Sequence, residues 1–214
     1  MRIIRQWAMP SSETFSIPPV KAVVEWEVMS VPIGGTIVDP FARAAAYGTI
    51  TNDLDPEQPA EYHLDALEFL RGLQTASADL VLYDPPYSPR QASECYRKVG
   101  KEKLANNVTN SEYWARCLDE VARITKNGGR VVSCGWNTNG VGKKRGFEIE
   151  SILIVAHGGR HNDTLVTVET KKSAASLLDL LSEESTSIGE IDGRIDSQAC
   201  GHPSEAQGSE GAAQ

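Results

Sequence analysis

Residues 80–90, LVLYDPPYSPR, combine an apolar run with side chains that could carry chemistry. The apolar run ends at Asp84, and Pro85, Pro86 and Tyr87 follow it directly. Two adjacent prolines continue neither a helix nor a central strand, so the backbone must leave the sheet at Asp84 in a fixed, extended direction. The motif therefore predicts a rigid polar shelf at the end of a strand.

Three further acids occupy comparable positions earlier in the chain. Asp39 ends the run TIVD, Asp53 follows the run GTITN, and Asp65 lies in YHLDALEFL. A single acid at a strand end is more often a helix cap or a turn former than a ligand contact. Four such acids in succession, in an alternating fold, indicate a binding site.

Strand-like and helix-like segments alternate along the chain, and this pattern predicts the frame for those acids. Four short apolar or β-branched runs are predicted strands: residues 36–39, 48–52, 80–83 and 130–134. The apolar spacing of residues 111–126 predicts an amphipathic helix closed by the turn at 127–129, and residues 147–157 and 164–170 predict an antiparallel hairpin. Such a chain forms a mostly parallel α/β sheet that binds ligands at the carboxyl ends of its strands.

Composition separates a folded body from a tail. The chain has 214 residues, 40% of them hydrophobic, and this suits one globular domain at residues 1–170. Residues 171–214 hold eight acids and three bases, so −5 of the net charge of −8 falls there, and we expect this segment to be disordered. Neither a long apolar run nor a signal-peptide pattern occurs, so we expect a cytoplasmic protein without a membrane span. The four cysteines are widely spaced, and neither disulfides nor a metal site are predicted.

These motifs resemble those of the S-adenosylmethionine-dependent DNA amino-methyltransferases, which methylate N6 of adenine or N4 of cytosine, and the small prophage-type adenine enzymes in particular. VDPFA at residues 38–42 resembles the family's first cofactor motif, D-P-F-A-G-x-G, and NDLDP at 52–56 matches the acid after its second strand. DPPY at 84–87 is the catalytic motif. The resemblance covers roughly residues 7–170 and implies a Rossmann-like class I methyltransferase fold, with a mostly parallel seven-stranded sheet and a C-terminal antiparallel hairpin.

The resemblance also implies a role for each motif residue. The catalytic residues are Asp84, Pro85, Pro86 and Tyr87. Asp84 and the Pro85 carbonyl would accept hydrogen bonds from the amine of a flipped base, the prolines would fix the direction of these acceptors, and Tyr87 would stack on the base. Asp53 would accept hydrogen bonds from the ribose hydroxyls, and Asp65 from the adenine amine, of S-adenosyl-L-methionine. The other residues expected around this cofactor are Phe15, Pro18, Asp39, Pro40, Phe41, Ala42, Leu54 and Ala66.

The chain departs from the family after D-P-F-A, where glycines are common. It reads Arg43-Ala44-Ala45-Ala46-Tyr47-Gly48 instead. Side chains there hinder a close approach of the backbone to the cofactor, so we expect a reshaped loop.

DNA is the partner that the resemblance implies, and two basic clusters are its predicted contacts. They comprise Arg90, Lys98 and Lys101 after DPPY, and Lys143, Lys144 and Arg145 further on. Ordinary solvated lysines explain these clusters equally well on charge alone. The turn HGGRHND is expected near the DNA, and Trp136 near the base pocket. Two other functions stay open: methylation of guanine N2 in ribosomal RNA, which also uses a D-P-P-aromatic motif, and a catalytically silent DNA-binding module.

Overall fold

The computed structural model describes residues 1–45, 47–101 and 107–173. The predicted acidic tail lies outside the described residues from position 174 onward. Within these ranges the chain forms four α-helices: α1 (Pro18–Met29), α2 (Ala66–Gly72), α3 (Pro89–Lys98) and α4 (Ser111–Ile124). The strands of the same ranges are β1 (Arg2–Trp7), β2 (Ile37–Asp39), β3 (Ile50–Thr51), β4 (Ala78–Tyr83), β5 (Thr125–Gly135), β6 (Phe147–Ala156) and β7 (Thr164–Lys171). None of these described helices has the length and apolar character needed to cross a lipid bilayer.

The seven strands of the described residues form one sheet in the order β1-β6-β7-β5-β4-β2-β3. β7 runs antiparallel to its neighbours β5 and β6, and the other neighbouring pairs are parallel. The predicted α/β class, the mostly parallel seven-stranded sheet and the C-terminal antiparallel hairpin are confirmed. Sequence patterning does not predict β1, because its residues RIIRQW form no sustained apolar run.

The start of β5 differs from the predicted turn. α4 ends at Ile124 and β5 begins at Thr125, so residues 127–129 lie within a strand and do not close a helix. The register of β4 against β5 shifts between Ala78 and Leu80, and Gly128 has a φ of +77°. Residues 126–129 therefore form a bulge, which the left-handed glycine makes possible.

Helices cover both faces of the sheet and divide the core into two layers. On one face, α1 packs Val20 and Val24 in a cluster with Leu80 and Leu82 of β4. On the other face, α2 and α4 pack in a cluster with Val81. Successive residues of a strand point to opposite faces, so the continuous apolar run of β4 is what a strand covered on both sides requires.

The parallel strands all end at one edge of the sheet, which we call the carboxyl edge. Its opposite, the amino edge, holds the starts of these strands. Residues 136–146 cross from the end of β5 back to the amino edge, where Phe147 pairs with Lys171 one step beyond the Arg130–Thr170 pair. The DPPY motif follows β4 and therefore lies at the carboxyl edge, whereas the Lys143–Arg145 turn precedes β6 and lies at the amino edge.

Candidate active site

A cavity of about 360 Å³ opens where β2, β3 and β4 end. Its wall joins segments that are far apart in the sequence: Pro40 and Phe41 after β2, Asp53 and Leu54 after β3, and Asp84, Pro85, Pro86 and Tyr87 after β4. A cavity of this size is in the range of sites for small ligands. The sheet topology thus brings the predicted cofactor and catalytic motifs to one place.

Asp84 and Tyr87 form the shelf that the sequence predicts. The Tyr87 hydroxyl donates to Asp84 Oδ1 at 2.5 Å and lies 3.1 Å from Thr14 Oγ1. Burial raises the pKa of Asp84, and the hydrogen bond from Tyr87 partly offsets that rise. The shelf therefore holds a desolvated carboxyl group whose present partner is a tyrosine hydroxyl.

The backbone of the shelf is fixed from both sides. Ser88 caps the N-terminus of α3 by accepting from the Gln91 N–H, and Pro89 takes the first helical position, where its missing N–H costs nothing. Gln91 in turn accepts the N–H of Tyr87 through its side-chain Oε1 at 2.9 Å. The direction of the motif is thus set by the prolines and by the first turn of α3.

Asp39 is completely buried directly before the cavity-lining Pro40. Its Oδ1 accepts the N–H of Phe41 at 3.1 Å, while its Oδ2 has no hydrogen-bond partner among the residues that the structure describes. Burial raises the pKa of Asp39 well above its ordinary value, and the charges of Asp84 and Asp53 add to the rise. The three acids lie close enough to affect one another.

The loop after D-P-F-A keeps a glycine-like backbone without a glycine. Arg43 has a φ of +47°, in the left-handed region that favours glycine. Its N–H donates to Asp53 Oδ2 at 2.9 Å, and its side chain reaches the carbonyl of Ser12 and the carboxylate of Glu13. The expected reshaped loop is therefore one in which Arg43 ties Asp53 to the N-terminal segment.

Asp53 lines the cavity with accepting capacity to spare. Its Oδ1 accepts the N–H of Asp55 at 2.8 Å and its Oδ2 that of Arg43. A carboxylate has about four lone-pair sites, so about two are left. Asp53 therefore suits a diol or another pair of donors.

Apolar and aromatic side chains line the part of the cavity beside Asp53. Phe41 packs edge-on against Tyr83, with ring centroids 5.5 Å apart, and tilted against Trp114 at 6.3 Å. Pro40, Leu54 and Ala66 line the cavity as predicted, whereas Ala42 is buried outside its lining. Sequence patterning assigns Trp114 to a helix face and leaves Tyr96 unassigned, yet both line this cavity because α3 and α4 bring them there.

Asp65 has structural partners in place of the expected cofactor contact. Its Oδ1 caps α2 by accepting the N–H groups of Leu67 and Glu68, and its carboxylate also accepts the hydroxyls of Tyr96 and Tyr113. These four donors use the accepting capacity of the group. Asp65 is also absent from the cavity lining, so its predicted contact with the cofactor's adenine amine does not fit this arrangement.

The N-terminal segment covers the cavity with residues other than those predicted. Phe15 is buried in the core, edge-on to Tyr47 with centroids 6.2 Å apart, and Pro18 is an exposed residue in the first turn of α1. The residues that line the cavity are Ser11, Ser12 and Thr14. The predicted closing segment is therefore present, but its polar residues face the cavity.

Only part of the first basic cluster lies at the cavity. Lys98 lines it and donates to Asp55 at 2.8 Å. Arg90 pairs with Glu94 at 2.7 Å on the exposed surface of α3, and Lys101 follows α3 outside the cavity lining. Two of these three predicted DNA contacts thus already have carboxylate partners.

The second basic cluster lies at the amino edge, away from the shelf. Arg145 pairs with Asp119 at 2.7 Å and also donates to the carbonyls of Val141 and Ala115. Phe147 and Asp84 are about five strand residues apart along the sheet, or about 16 Å. Lys143, Lys144 and Arg145 therefore lie away from the shelf, and their contact with DNA stays a prediction.

Two further segments lie at the carboxyl edge: the one after β5 contains Trp136, and the turn after β6 contains His157. Trp136 follows β5 and lies edge-on to Tyr87 with centroids 5.9 Å apart. His157 is buried, with Nδ1 2.8 Å from the Ala8 carbonyl and Nε2 2.8 Å from Thr164 Oγ1. His157 is thus a structural residue that fixes the hairpin turn.

Sequence reasoning misses Thr14, Gln91 and Asn52. Asn52 is buried and links Pro40 to Leu64: it donates to both carbonyls and accepts the Leu64 N–H. The signal for Asn52 is its place beside Asp53 in NDLDP, although a turn former would look the same.

Comparison with known proteins finds distant structural neighbours. No protein-family model and no curated protein matches the chain. TrmN from Thermus thermophilus has a TM-score of 0.47 at 17% identity, over 72% of this chain and 49% of that one. A TehB-like SAM-dependent methyltransferase from Corynebacterium glutamicum has a TM-score of 0.44 at 18% identity, over 72% of this chain and 94% of that one. A candidate DNA modification methylase, also from Thermus thermophilus, has a TM-score of 0.35 at 19% identity, over 51% of this chain and 53% of that one.

The chain spans about half the length of TrmN and of a second neighbour, PH0851, of which it covers 45%. At these identities and TM-scores, the neighbours decide neither the substrate nor the reaction of this chain.

Proposed function

We propose that this protein is an S-adenosylmethionine-dependent methyltransferase that acts on N6 of a flipped adenine in DNA. The observation that carries the proposal is the shelf of Asp84 and Tyr87, which shares one cavity with the carboxylate of Asp53. The shelf suits an exocyclic amine on an aromatic ring, and Asp53 suits a ribose diol. One cavity thus offers sites for both reactants of a methyl transfer.

The residues of the cavity fit S-adenosylmethionine. Asp53 lines the cavity and can accept further hydrogen bonds beyond those from its two backbone N–H donors, whereas Asp39 is fully buried outside the cavity lining and therefore does not offer the cofactor a direct contact. Asp53 would accept from the ribose hydroxyls, and Phe41, Leu54 and Ala66 would contact the adenine. When bound, this cofactor supplies an electrophilic methyl group.

The shelf supplies the acceptors that activate the target amine. An exocyclic amine is a weak nucleophile because its lone pair is delocalised into the ring. Asp84 and the main-chain carbonyl of Pro85 would accept its two N–H bonds and return electron density to the nitrogen. The prolines hold both acceptors in fixed directions, which lowers the entropy cost of aligning the amine.

Tyr87 and the target amine can share Asp84. The Tyr87 hydroxyl donates to Asp84 Oδ1, and the Tyr87 ring is held edge-on by Trp136. A carboxylate has about four lone-pair sites, so Asp84 can accept an N–H of the base beside the tyrosine hydroxyl. In a duplex the nucleotide would have to be extruded first, because stacking hides the amine, whereas a single strand presents it more readily.

Adenine in DNA is favoured by the resemblance of the motifs. The D-P-F-A form of the first motif is that of the DNA enzymes, and the acid at Asp84 goes mostly with adenine, whereas serine is commoner in the enzymes that act on cytosine. The larger purine also gains more contact with Tyr87.

The test is to identify the methylated nucleoside. Purified protein is incubated with labelled S-adenosylmethionine and, separately, duplex DNA, single-stranded DNA or ribosomal RNA, and the digested product is analysed by mass spectrometry. We expect N6-methyladenine from DNA, and none from the Asp84→Asn variant. Label in N2-methylguanine or N4-methylcytosine alone would replace the substrate assignment. Cofactor binding without any transfer would favour a silent binding module.

A further inference from the structure

The carboxyl edge continues beyond the shelf as a row of exposed side chains. Gly135 of β5 pairs with Leu165 of β7, Leu165 with Ile154 of β6, and Ile154 with Arg5 of β1. The edge therefore passes, in order, from Tyr87 to Trp136, to the β6–β7 turn, and to the end of β1. This row crosses four strand spacings of about 4.8 Å each, or about 19 Å.

Large apolar side chains are exposed at both ends of this row. Trp136 is 40% exposed beside Tyr87, while Trp7 and Met9 at the end of β1 are 66% and 67% exposed. Trp7 and Met9 lie two residues apart, and neighbouring exposed apolar side chains of this size are typical of an interaction surface. Tryptophan has the largest flat face of any side chain, so the surface is suited to stacking.

The turn between the two ends is rigid at its base and basic at its tip. The His157 ring links the Ala8 carbonyl to Thr164, and the backbone N–H of His157 donates to Asp163 Oδ1 at 3.3 Å. A Cβ on Gly158 would lie 3.7 Å from Trp7 Nε1, so the turn packs beside the Trp7 ring. Arg160 and His161 are exposed at the tip.

We propose that this row, which runs from Tyr87 through Trp136 and Arg160 to Trp7 and Met9, binds the target base and the single strand of nucleic acid that flanks it. The inference rests on the proposed function and adds to it the substrate form. Aromatic faces stack bases of any sequence, and a guanidinium pairs with phosphate. Stacked nucleotides rise about 3.4 Å each, so about 19 Å accommodates roughly six of them.

A strand of nucleic acid fits this surface better than a protein partner does. The row is continuous with Tyr87 through the Trp136 contact, and it carries Arg160 at its centre, so it pairs aromatic faces with a cation as strand-binding proteins do. A second copy of this chain packing on the β1 edge is the competing occupant, and the experiment distinguishes the two.

The test compares Trp7→Ala and Arg160→Ala with Trp26→Ala. Trp26 is also 66% exposed, but it lies on α1 next to Glu27, which pairs with Arg130 at the amino edge. Binding of fluorescein-labelled single strands of three to twelve nucleotides is measured by anisotropy at several salt concentrations. We expect Trp7→Ala to weaken binding about fivefold to 100-fold, Arg160→Ala to lower the salt dependence, and Trp26→Ala to change little. Wild-type affinity should level off near six nucleotides.

Further outcomes decide between the occupants. Trp7→Phe keeps a flat face and should retain most of the affinity, which separates stacking from a folding defect. Equal affinities of Trp7→Ala, Arg160→Ala and Trp26→Ala overturn the proposal, as does a wild type that binds no single strand. If Trp7→Ala alters the molar mass in solution, measured by light scattering, but not the affinity for single strands, the row binds a second copy of this chain and not nucleic acid.

The proposed function fails separately from this inference. Nucleoside analysis of the wild type reports methyl transfer, while anisotropy reports the row. If the wild type forms N6-methyladenine but Trp7→Ala binds single strands as tightly as the wild type, only the proposed role of the row is contradicted. If Trp7→Ala weakens binding of single strands but the wild type transfers no methyl group, the proposed enzymatic function is contradicted and the proposed role of the row is supported.

Discussion

At the scale of single residues, the carboxyl groups of the cavity divide into two kinds. Asp84 is desolvated and belongs to the shelf. Asp53 accepts hydrogen bonds from two backbone N–H groups and lies beside the aromatic part of the cavity. Their different surroundings predict different roles, which substitution can separate.

The first prediction concerns those roles. Asp84→Asn should abolish detectable methyl transfer and leave S-adenosylmethionine affinity within about twofold, since the group faces the amine. Asp53→Asn should weaken that affinity by about 10- to 100-fold, the effect of losing hydrogen bonds to a charged acceptor. Calorimetry gives the affinities and single-turnover kinetics the transfer. Equal losses of cofactor affinity in the two variants would contradict the assignment.

The second prediction concerns the hydroxyl of Tyr87. Burial raises the pKa of Asp84, and the Tyr87 hydrogen bond lowers it. Asp84 must be ionised to accept from the amine, so activity is lost as pH falls through its pKa. Tyr87→Phe removes the lowering effect and keeps the ring, so the acidic limb of the rate profile should move to higher pH. An acidic limb at the wild-type position would show that the hydroxyl does not tune Asp84.

At the scale of elements, the crossover from β5 to β6 depends on one buried acid. Glu169 of β7 is fully buried and accepts the N–H of Val141 at 2.7 Å and that of Gly142 at 3.0 Å. A Cβ on Gly140 would lie 2.1 Å from Glu169 Oε2, and Gly140 has a φ of +54°. The crossover therefore requires both the acid and the glycine.

The third prediction tests that requirement. Glu169→Gln should lower the free energy of unfolding by about 1–3 kcal/mol, because an amide NH₂ would face a backbone N–H and leave a buried donor unsatisfied. Gly140→Ala should also destabilise the protein through steric overlap and backbone strain. Urea unfolding measures both. Glu148→Gln, which removes an exposed partner of Lys172, is the control and should change the midpoint little. A Glu169→Gln midpoint equal to that of the control would contradict the role of the crossover.

At the scale of the whole molecule, the second basic cluster and the shelf lie at opposite edges of the sheet. Lys143 and Lys144 are exposed at the amino edge, and the shelf lies at the carboxyl edge.

The fourth prediction follows from this arrangement. Lys143→Gln with Lys144→Gln should leave the affinity for short single strands and its salt dependence nearly unchanged, because phosphates bound at the shelf do not reach the amino edge. Arg145 is kept, since it holds Asp119 and two carbonyls. Anisotropy at several salt concentrations measures the slope. If this double variant lowers the salt dependence of the affinity as much as Arg160→Ala does, Lys143 and Lys144 contact the bound strand and the prediction is contradicted.

The fifth prediction concerns the acidic C-terminal segment. β7 ends at Lys171, so truncation after Ser173 leaves the described core intact and should leave the Tm unchanged. The removed residues hold eight acids and one base, so DNA binding should tighten at low salt. Differential scanning calorimetry and anisotropy measure the two effects. Aggregation or a lower Tm would show that the segment belongs to the fold.

The sequence by itself determined the α/β class, the positions along the chain of six of the seven described strands and the place of the two main motifs. The reason is local: apolar runs that end at Asp39 and Asp84 define strands, and prolines force the chain out of the sheet after them. Parallel strands then end at the same edge whatever the details of packing. Asp53, Phe41 and the DPPY residues therefore lie at the cavity as their positions predict.

Tertiary structure alone decided which side of each segment faces the cavity. Asp65 lies outside the cavity lining, and two tyrosines from α3 and α4 reach its carboxylate. No local pattern in YHLDALEFL encodes those partners. The Lys143–Arg145 cluster lies at the amino edge because residues 136–146 cross back along the sheet. The path of a crossover segment and the long-range hydrogen bonds depend on the whole sheet. A short stretch of sequence therefore does not specify them.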